Sequence, residues 1–431
     1  MKFSYNSHDA LKTTAELQRA IDAATDLGET LFVEAGEYII GTLKIRKGTH
    51  LHLCGGAKIL GSGRYEDYDA NVRTFVDAVG RERGRALIYA ENADGAKITG
   101  TGIIDGRGEL SKTDSPPFLM RFVGGKNIEL SGITVKNSAA WTVHLLNVDT
   151  MLIDGITVKS RGCPNNDGID IDSSSHVTVR NCDISTGDDS VCIKSTTHKK
   201  CSDILVDGCK ISSEWAALKL GTESIGDFEN ITFKGCEIYD TEGCGIKVVP
   251  TDGANLHNLL IEDITMKNTT GPIFISLGKR LRVYFEGDEP RSLGNIENVT
   301  LKNITADVID AKGRPMNGND YYVTYDGMWG AAKGCIVING LPEKRVKNIL
   351  IDTVRLKMPG GVSDYSRKIE NIIEMDAHYP EFSVLGTLPA SVAFLRHVEN
   401  VNIKNISYEL KAPDIREPFC LVDAENSQIS E

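Results

Sequence analysis

The sequence predicts an all-β fold, a single-domain parallel β-helix solenoid over residues 1–431. Three observations carry that prediction. A six-residue frame, apolar-x-apolar-x-small or polar-apolar, recurs along most of the chain. It reads Ile128–Ile133, Met151–Ile156, Val177–Cys182, Ile204–Cys209, Ile231–Cys236, Leu259–Ile264, Val299–Ile304, Ile349–Val354 and Val401–Ile406, in steps of 23, 26, 27, 27, 28, 40, 50 and 52 residues. Apolar residues alternate within each unit, which is a strand period and not a helical one. Gly, Asn and Asp mark the corners. Stacking such units in parallel buries one strand face and pairs each backbone with its neighbour. The last three steps read as the same period with loops inserted.

Taken in order, the first element is a cap. Thr13-Thr14-Ala15-Glu16 reads as a capping box, with Thr13 at the cap and Glu16 at the third helical position. Leu17, Ile21, Ala24 and Leu27 follow at helical spacing, and Gly28 stops the run. A short helix over 14–27 is expected to cover the N-terminal end. Gly100-Thr101-Gly102 through Gly106-Arg107-Gly108 opens no helix, so it reads as β-helix turns and not as a phosphate cradle. Cys182, Cys209 and Cys236 share one repeat position, which predicts an interior ladder of buried thiols. Segments 307–345 and 358–395 break the period and read as inserted loops, as does 280–295. Loops on one side of a rigid scaffold are where binding sites are built.

Composition narrows the function. Lys and Arg number 48 against 60 Asp and Glu, a net charge of -12. A general nucleic-acid binder should be basic, so no nucleic-acid partner is expected. No apolar run is long enough to span a bilayer, and none is expected to meet a membrane. The N-terminus lacks the apolar core of a signal peptide. The expected location is cytoplasmic, or secreted if a leader was removed. Ten cysteines are too dilute for a disulfide scaffold. No CxxC pair suggests zinc. Oligomeric state stays open.

A second strand column carries the chemistry. Ile169/Ile171, Val191/Ile193, Leu218/Leu220 and Cys244/Ile246 superimpose as core positions. Between them Asp170, Asp172, Lys194, Lys219 and Lys247 face away from the core. Trp141 falls beside Asp167, and His144 beside Asp170. Asp167 stacks on Asp189 one rung away, about 4.8 Å, and Asp188 adds a third carboxylate. Like charges this close raise at least one pKa, giving a protonated acid beside an ionised base. Glycoside hydrolysis needs that pair. Calcium held by the same carboxylates is the alternative. The lysines suit an anionic ligand such as a uronate. Trp141 reads as a sugar platform or a packed aromatic.

These residues resemble the polygalacturonases, pectin-degrading enzymes of glycoside hydrolase family 28. The family's Asn-Thr-Asp-Gly motif resembles Asn165-Asn166-Asp167-Gly168. Its Asp-Asp motif matches Gly187-Asp188-Asp189, and its Ile-Asp-Gly-x-Gly turn matches Ile104 to Gly108. Trp141-Thr142-Val143-His144 is also similar. The resemblance implies a right-handed helix, no cofactor or resident metal, a pectic oligosaccharide substrate and hydrolysis with inversion. Asp167, Asp188 and Asp189 become catalytic, with Asp189 the first choice for general acid. Asn165, Trp141, His144, Asp170, Lys194, Lys219, Lys247, Arg280 and Arg396 become substrate contacts. Two positions depart from the family. Trp215-Ala216-Ala217 lacks its His, and Gly245-Ile246-Lys247 lacks its Arg. Leu220–Ser224, Gly313–Met316, Tyr379–Glu381, Leu388–Ala390 and Arg396-His397 resemble a bacterial rhamnogalacturonan hydrolase-like branch. The expected activity is exo-acting hydrolysis. A uronate lyase or epimerase, or a glycan-binding solenoid without activity, are the alternatives.

Overall fold

The computed structural model describes residues 1–5, 7–78, 80–309 and 335–430. They divide into two compact units, Met1–Cys209 and Lys210–Glu431. The motif Gly313–Met316 and most of the 307–345 insertion lie outside the described residues.

In the first unit three strands per turn stack into three parallel ladders. The repeat frame forms one ladder: Lys126–Ser131 pairs with Asp149–Asp154, which pairs with Ser175–Arg180, which pairs with Cys201–Asp207. A second ladder of shorter strands includes Thr134–Lys136, Thr157–Ser160 and Asp183–Thr186. The third runs through Phe118–Val123, Val143–Leu146, Ile169–Asp172 and Val191–Ser195. Inward residues such as Leu130, Ile153, Val179 and Val206 are fully buried and stack on one another. Cys182 and Cys209 are buried, and each thiol donates to the carbonyl two residues back.

Two bends per turn let the chain close. Gly132, Gly155, Asn181 and Gly208, one per repeat, all have positive φ. Asn127, Thr150, His176 and Asp203 form a second such column. Left-handed backbone favours Gly, Asn and Asp, which explains the corner composition.

The cap is longer than predicted. The helix spans Ala10–Asp26, and Asp9, not Thr13, is its N-cap, accepting from Lys12 N–H. Thr13 lies inside the helix, and its hydroxyl donates to the Asp9 carbonyl at 2.9 Å. Asp9 offers the same capping chemistry four residues earlier, ahead of a helix-compatible run. Leu17, Ile21 and Ala24 are buried. Gln18 donates to Lys44 O at 3.0 Å and accepts from Lys44 N at 2.8 Å, closing backbone groups on the Leu43–Ile45 strand. That satisfies an edge that would otherwise recruit another strand.

In the second unit the strands run longer, continuing through left-handed corners such as Asn258, Asp263 and Asn348. Asn255–Thr269, Asn295–Val308, Val346–Met358 and Ala390–Leu410 pair in parallel, with a register shift between Lys267 and Thr269. A separate ladder joins Ala216–Ser224, Cys244–Pro250, Ile273–Ser276 and Ile336–Asn339. The 307–345 insertion therefore ends earlier than predicted, at the Ile336–Asn339 strand. The 358–395 loop likewise stops at Ala390, where the long strand begins. Apolar alternation in both stretches was masked by the flanking Gly and Pro. What lies between carries a single helical turn at Ile369–Asn371 and a short helix at Phe382–Leu385.

Candidate active site

Two adjacent turns of the first unit bring three carboxylates together. The Gly168 N–H donates to the Asp189 carbonyl at 2.8 Å, and Ile169 pairs with Val191. Asp167 and Asp189 thus occupy neighbouring rungs. One oxygen each from Asp167, Asp188 and Asp189 lies within 4.8 Å of the other two. Asp167 and Asp189 are buried, while Asp188 is half-buried. The Asp188 carboxylate accepts from the Asp189 N–H at 2.9 Å, which fixes the corner. The glycines of both motifs permit the approach. A Cβ on Gly168 would stand 2.3 Å from the Ser190 carbonyl, and one on Gly187 would stand 2.5 Å from Asn166 Oδ1.

Cations and aromatics of the same unit surround this corner. Lys194 Nζ lies 3.0 Å from Asp167 Oδ2 and 3.1 Å from Asp170 Oδ1. It also sits 3.8 Å from the centroid of the Trp141 ring. The sequence places Asp170, Asp172 and Lys194 away from the core, but their relative exposures are only 0%, 0% and 3%. An outer layer covers them. Phe75, from the hairpin of Phe75–Val76 and Glu82–Arg83, packs on Trp141 and His144, as does Phe118. Trp141 is therefore a packed aromatic, not an open platform. Arg121 lies beneath the hairpin and donates to the carbonyls of Arg73 and Gly84; burial lowers its pKa to about 10.

His144 is fully buried and pairs through Nε2 with Asp172 Oδ2 at 3.2 Å. Burial drives its pKa down to about 4 against the pull of Asp172. It is neutral at pH 7, its Nε2–H donating. Burial alone would raise the Asp172 carboxyl, but His144 and Thr196 outweigh it and hold it below the ordinary value. Asn165 has positive φ, and its Nδ2 faces Asp188 Oδ2 at 3.4 Å. Its carbonyl oxygen accepts from Arg81 at 2.9 Å and from Arg83 at 3.2 Å. Sequence reading missed both arginines, because their hairpin lies outside the repeat.

Four predicted contacts belong to the second unit. Lys247 is buried in an ion pair with Glu381. Lys219 Nζ donates to the Tyr379 hydroxyl at 3.5 Å. Arg280 grips Asp252 with two bonds of 2.9 and 2.6 Å and donates to Tyr284 at 2.7 Å. Arg396 donates to Asn339 at 2.8 Å and to the carbonyls of Ile372 and Ile373, with Glu374 at 3.2 Å. Burial lowers its pKa. Glu381 and Tyr379 are the partners that sequence reading did not assign to a site.

Residues 54–349 match the family model described as "Glycosyl hydrolases family 28", well over half of the chain. The chain belongs to that family. A probable polygalacturonase of Vitis vinifera is 24% identical over 314 residues, 67% of this chain and 63% of that protein. Endo-xylogalacturonan hydrolase A of Aspergillus tubingensis is 28% identical over 254 residues, 53% of this chain and 61% of its own. The family 28 chain thus spans less than two thirds of either relative. The family 28 exopolygalacturonase of Yersinia enterocolitica superposes with a TM-score of 0.72 at 18% identity, covering 98% of this chain and 76% of that one. An exopolygalacturonase from Thermotoga maritima gives 0.65 at 21% identity, covering 80% and 83%. These structures share the right-handed parallel β-helix.

Proposed function

We propose that this family 28 protein is a glycoside hydrolase acting on galacturonic-acid-containing pectic glycans. The observation that carries the reading is the grouping of Asp167, Asp188 and Asp189 on stacked turns, one oxygen of each within 4.8 Å of the others. Family membership and the activities for which the relatives are named support it. Asp189 donates a proton to the glycosidic oxygen as that bond to the sugar breaks. Asp167 and Asp188 take a proton from the water that attacks the opposite face, so the anomeric centre inverts. Lys194 already supplies a cation 3.0 Å from Asp167, which favours hydrolysis without calcium. The departures at Trp215-Ala216-Ala217 and Gly245 favour a rhamnogalacturonan-type substrate over plain homogalacturonan. The insertions that break the period favour exo action.

Product analysis tests this. Wild type and Asp189→Asn are incubated in heavy-oxygen water with rhamnogalacturonan, homogalacturonan and xylogalacturonan oligosaccharides, with and without chelator. The wild type is expected to release one saturated sugar carrying heavy oxygen, insensitive to chelator. Asp189→Asn should be slower by roughly 10²–10⁴-fold. The first product seen by NMR should be the inverted anomer. An unsaturated product that disappears with chelator would instead establish a calcium-dependent lyase. No product from any member of the panel would leave a glycan-binding solenoid.

A further inference from the structure

The lysines and arginines that sequence reading assigned to an anionic ligand already have internal partners. In the first unit Lys194 is held by Asp167 and Asp170. In the second, Lys247 has Glu381, Arg280 has Asp252, Arg396 has Glu374, and Lys219 donates to the Tyr379 hydroxyl. A buried cation with a carboxylate beside it loses that partner's energy before it can bind another anion. Arg81 is different. It is exposed, it forms no carboxylate ion pair among the described residues, and it stands at the acid corner.

Its position is built. Asp77 accepts from the Arg81 N–H at 2.9 Å and donates its own N–H to the Arg81 carbonyl at 3.0 Å. The same buried carboxylate binds Arg83 Nε at 2.7 Å. Arg81 and Arg83 then converge on one amide oxygen of Asn165, whose nitrogen faces Asp188. Phe75 anchors the hairpin on Trp141 and His144. Two guanidinium groups on one neutral acceptor leave donors unspent, because a guanidinium carries five. Its fork matches a carboxylate with two parallel bonds.

We propose that Arg81 binds the carboxylate of a uronic acid residue seated beside Asp188, making the hairpin a specificity element for acidic sugars. The proposal rests on the pectic hydrolase reading above. Calorimetry on the Asp189→Asn protein tests it, using an oligogalacturonate and its fully methyl-esterified counterpart as probes. Adding Arg81→Gln should weaken binding of the acidic probe by roughly tenfold or more, the scale of one lost bond to a charged group. The esterified probe should be unaffected, and Arg81→Lys should restore part of the affinity. If Arg81 merely braces Asn165, both probes weaken alike and the inference is overturned. It is also overturned if neither weakens. In both of those cases the hydrolase reading survives. If Asp189→Asn binds no pectic probe and the wild type cleaves none, both fall together.

Discussion

Lys194 shows how much one side chain does at this corner. It is almost fully buried, paired with two carboxylates, and stacked over Trp141. Deleting one partner of a buried ion pair leaves charge uncompensated, at a cost of about 3–5 kcal/mol. Lys194→Met should lower stability by about that much in urea titration. Adding Asp170→Asn should recover part of the loss, since it removes one of the two stranded charges. If the single variant is as stable as wild type, the pair is ornamental. Sequence register placed Lys194 and both carboxylates on neighbouring rungs. It did not show that they meet in a dry site, because burial there comes from a hairpin outside the repeat.

At the scale of the element, corners decide stability. In the second unit Asn348 has φ +55 and sits in an asparagine ladder. Its Nδ2 donates to Asn298 Oδ1 at 3.3 Å, and its own Oδ1 accepts from Asn400 at 3.2 Å. Asn348→Ala loses both bonds and also the short polar side chain that eases left-handed backbone for Asn, exposing Ala to a backbone penalty of up to roughly 1–2 kcal/mol. Asn348→Gly loses the bonds but not the conformation. Thermal midpoints should therefore rank wild type above Gly and Gly above Ala. Equal midpoints for Gly and Ala would mean that the left-handed corner costs nothing. The sequence frame located these corners by composition. It misplaced the start of the capping helix because Asp9 and Thr13 offer competing caps.

The whole chain responds to pH through the first unit's buried histidine. An unfolded His144 takes up a proton near 6.5, whereas burial holds the folded side chain at about 4. The neutral form is thus favoured by folding. Stability from this group is complete above pH 6.5 and is lost as pH falls towards 4, by roughly 3 kcal/mol at most. Asp172 is also held below its ordinary value, so its share is lost only at still lower pH. The urea midpoint should fall between pH 6.5 and 4. His144→Gln, which keeps a donor near Asp172 but does not titrate, should flatten that slope. An unchanged slope would assign the acid sensitivity to other groups.

The sequence by itself determined the solenoid, its period, its corners and the stacking of Asp167 on Asp189. In a parallel β-helix each residue meets the one a period away, so tertiary neighbours can be read as sequence repeats. Only the tertiary structure decided, within each unit, what covers the outward-facing charged residues. Arg81 and Arg83 reach Asn165 from an aperiodic hairpin, and Glu381 reaches Lys247 from an aperiodic loop. Such segments have no repeat to fix their register. Their positions follow from burying Phe75 against Trp141 and Phe382 against Phe274, contacts that depend on shape and not on spacing.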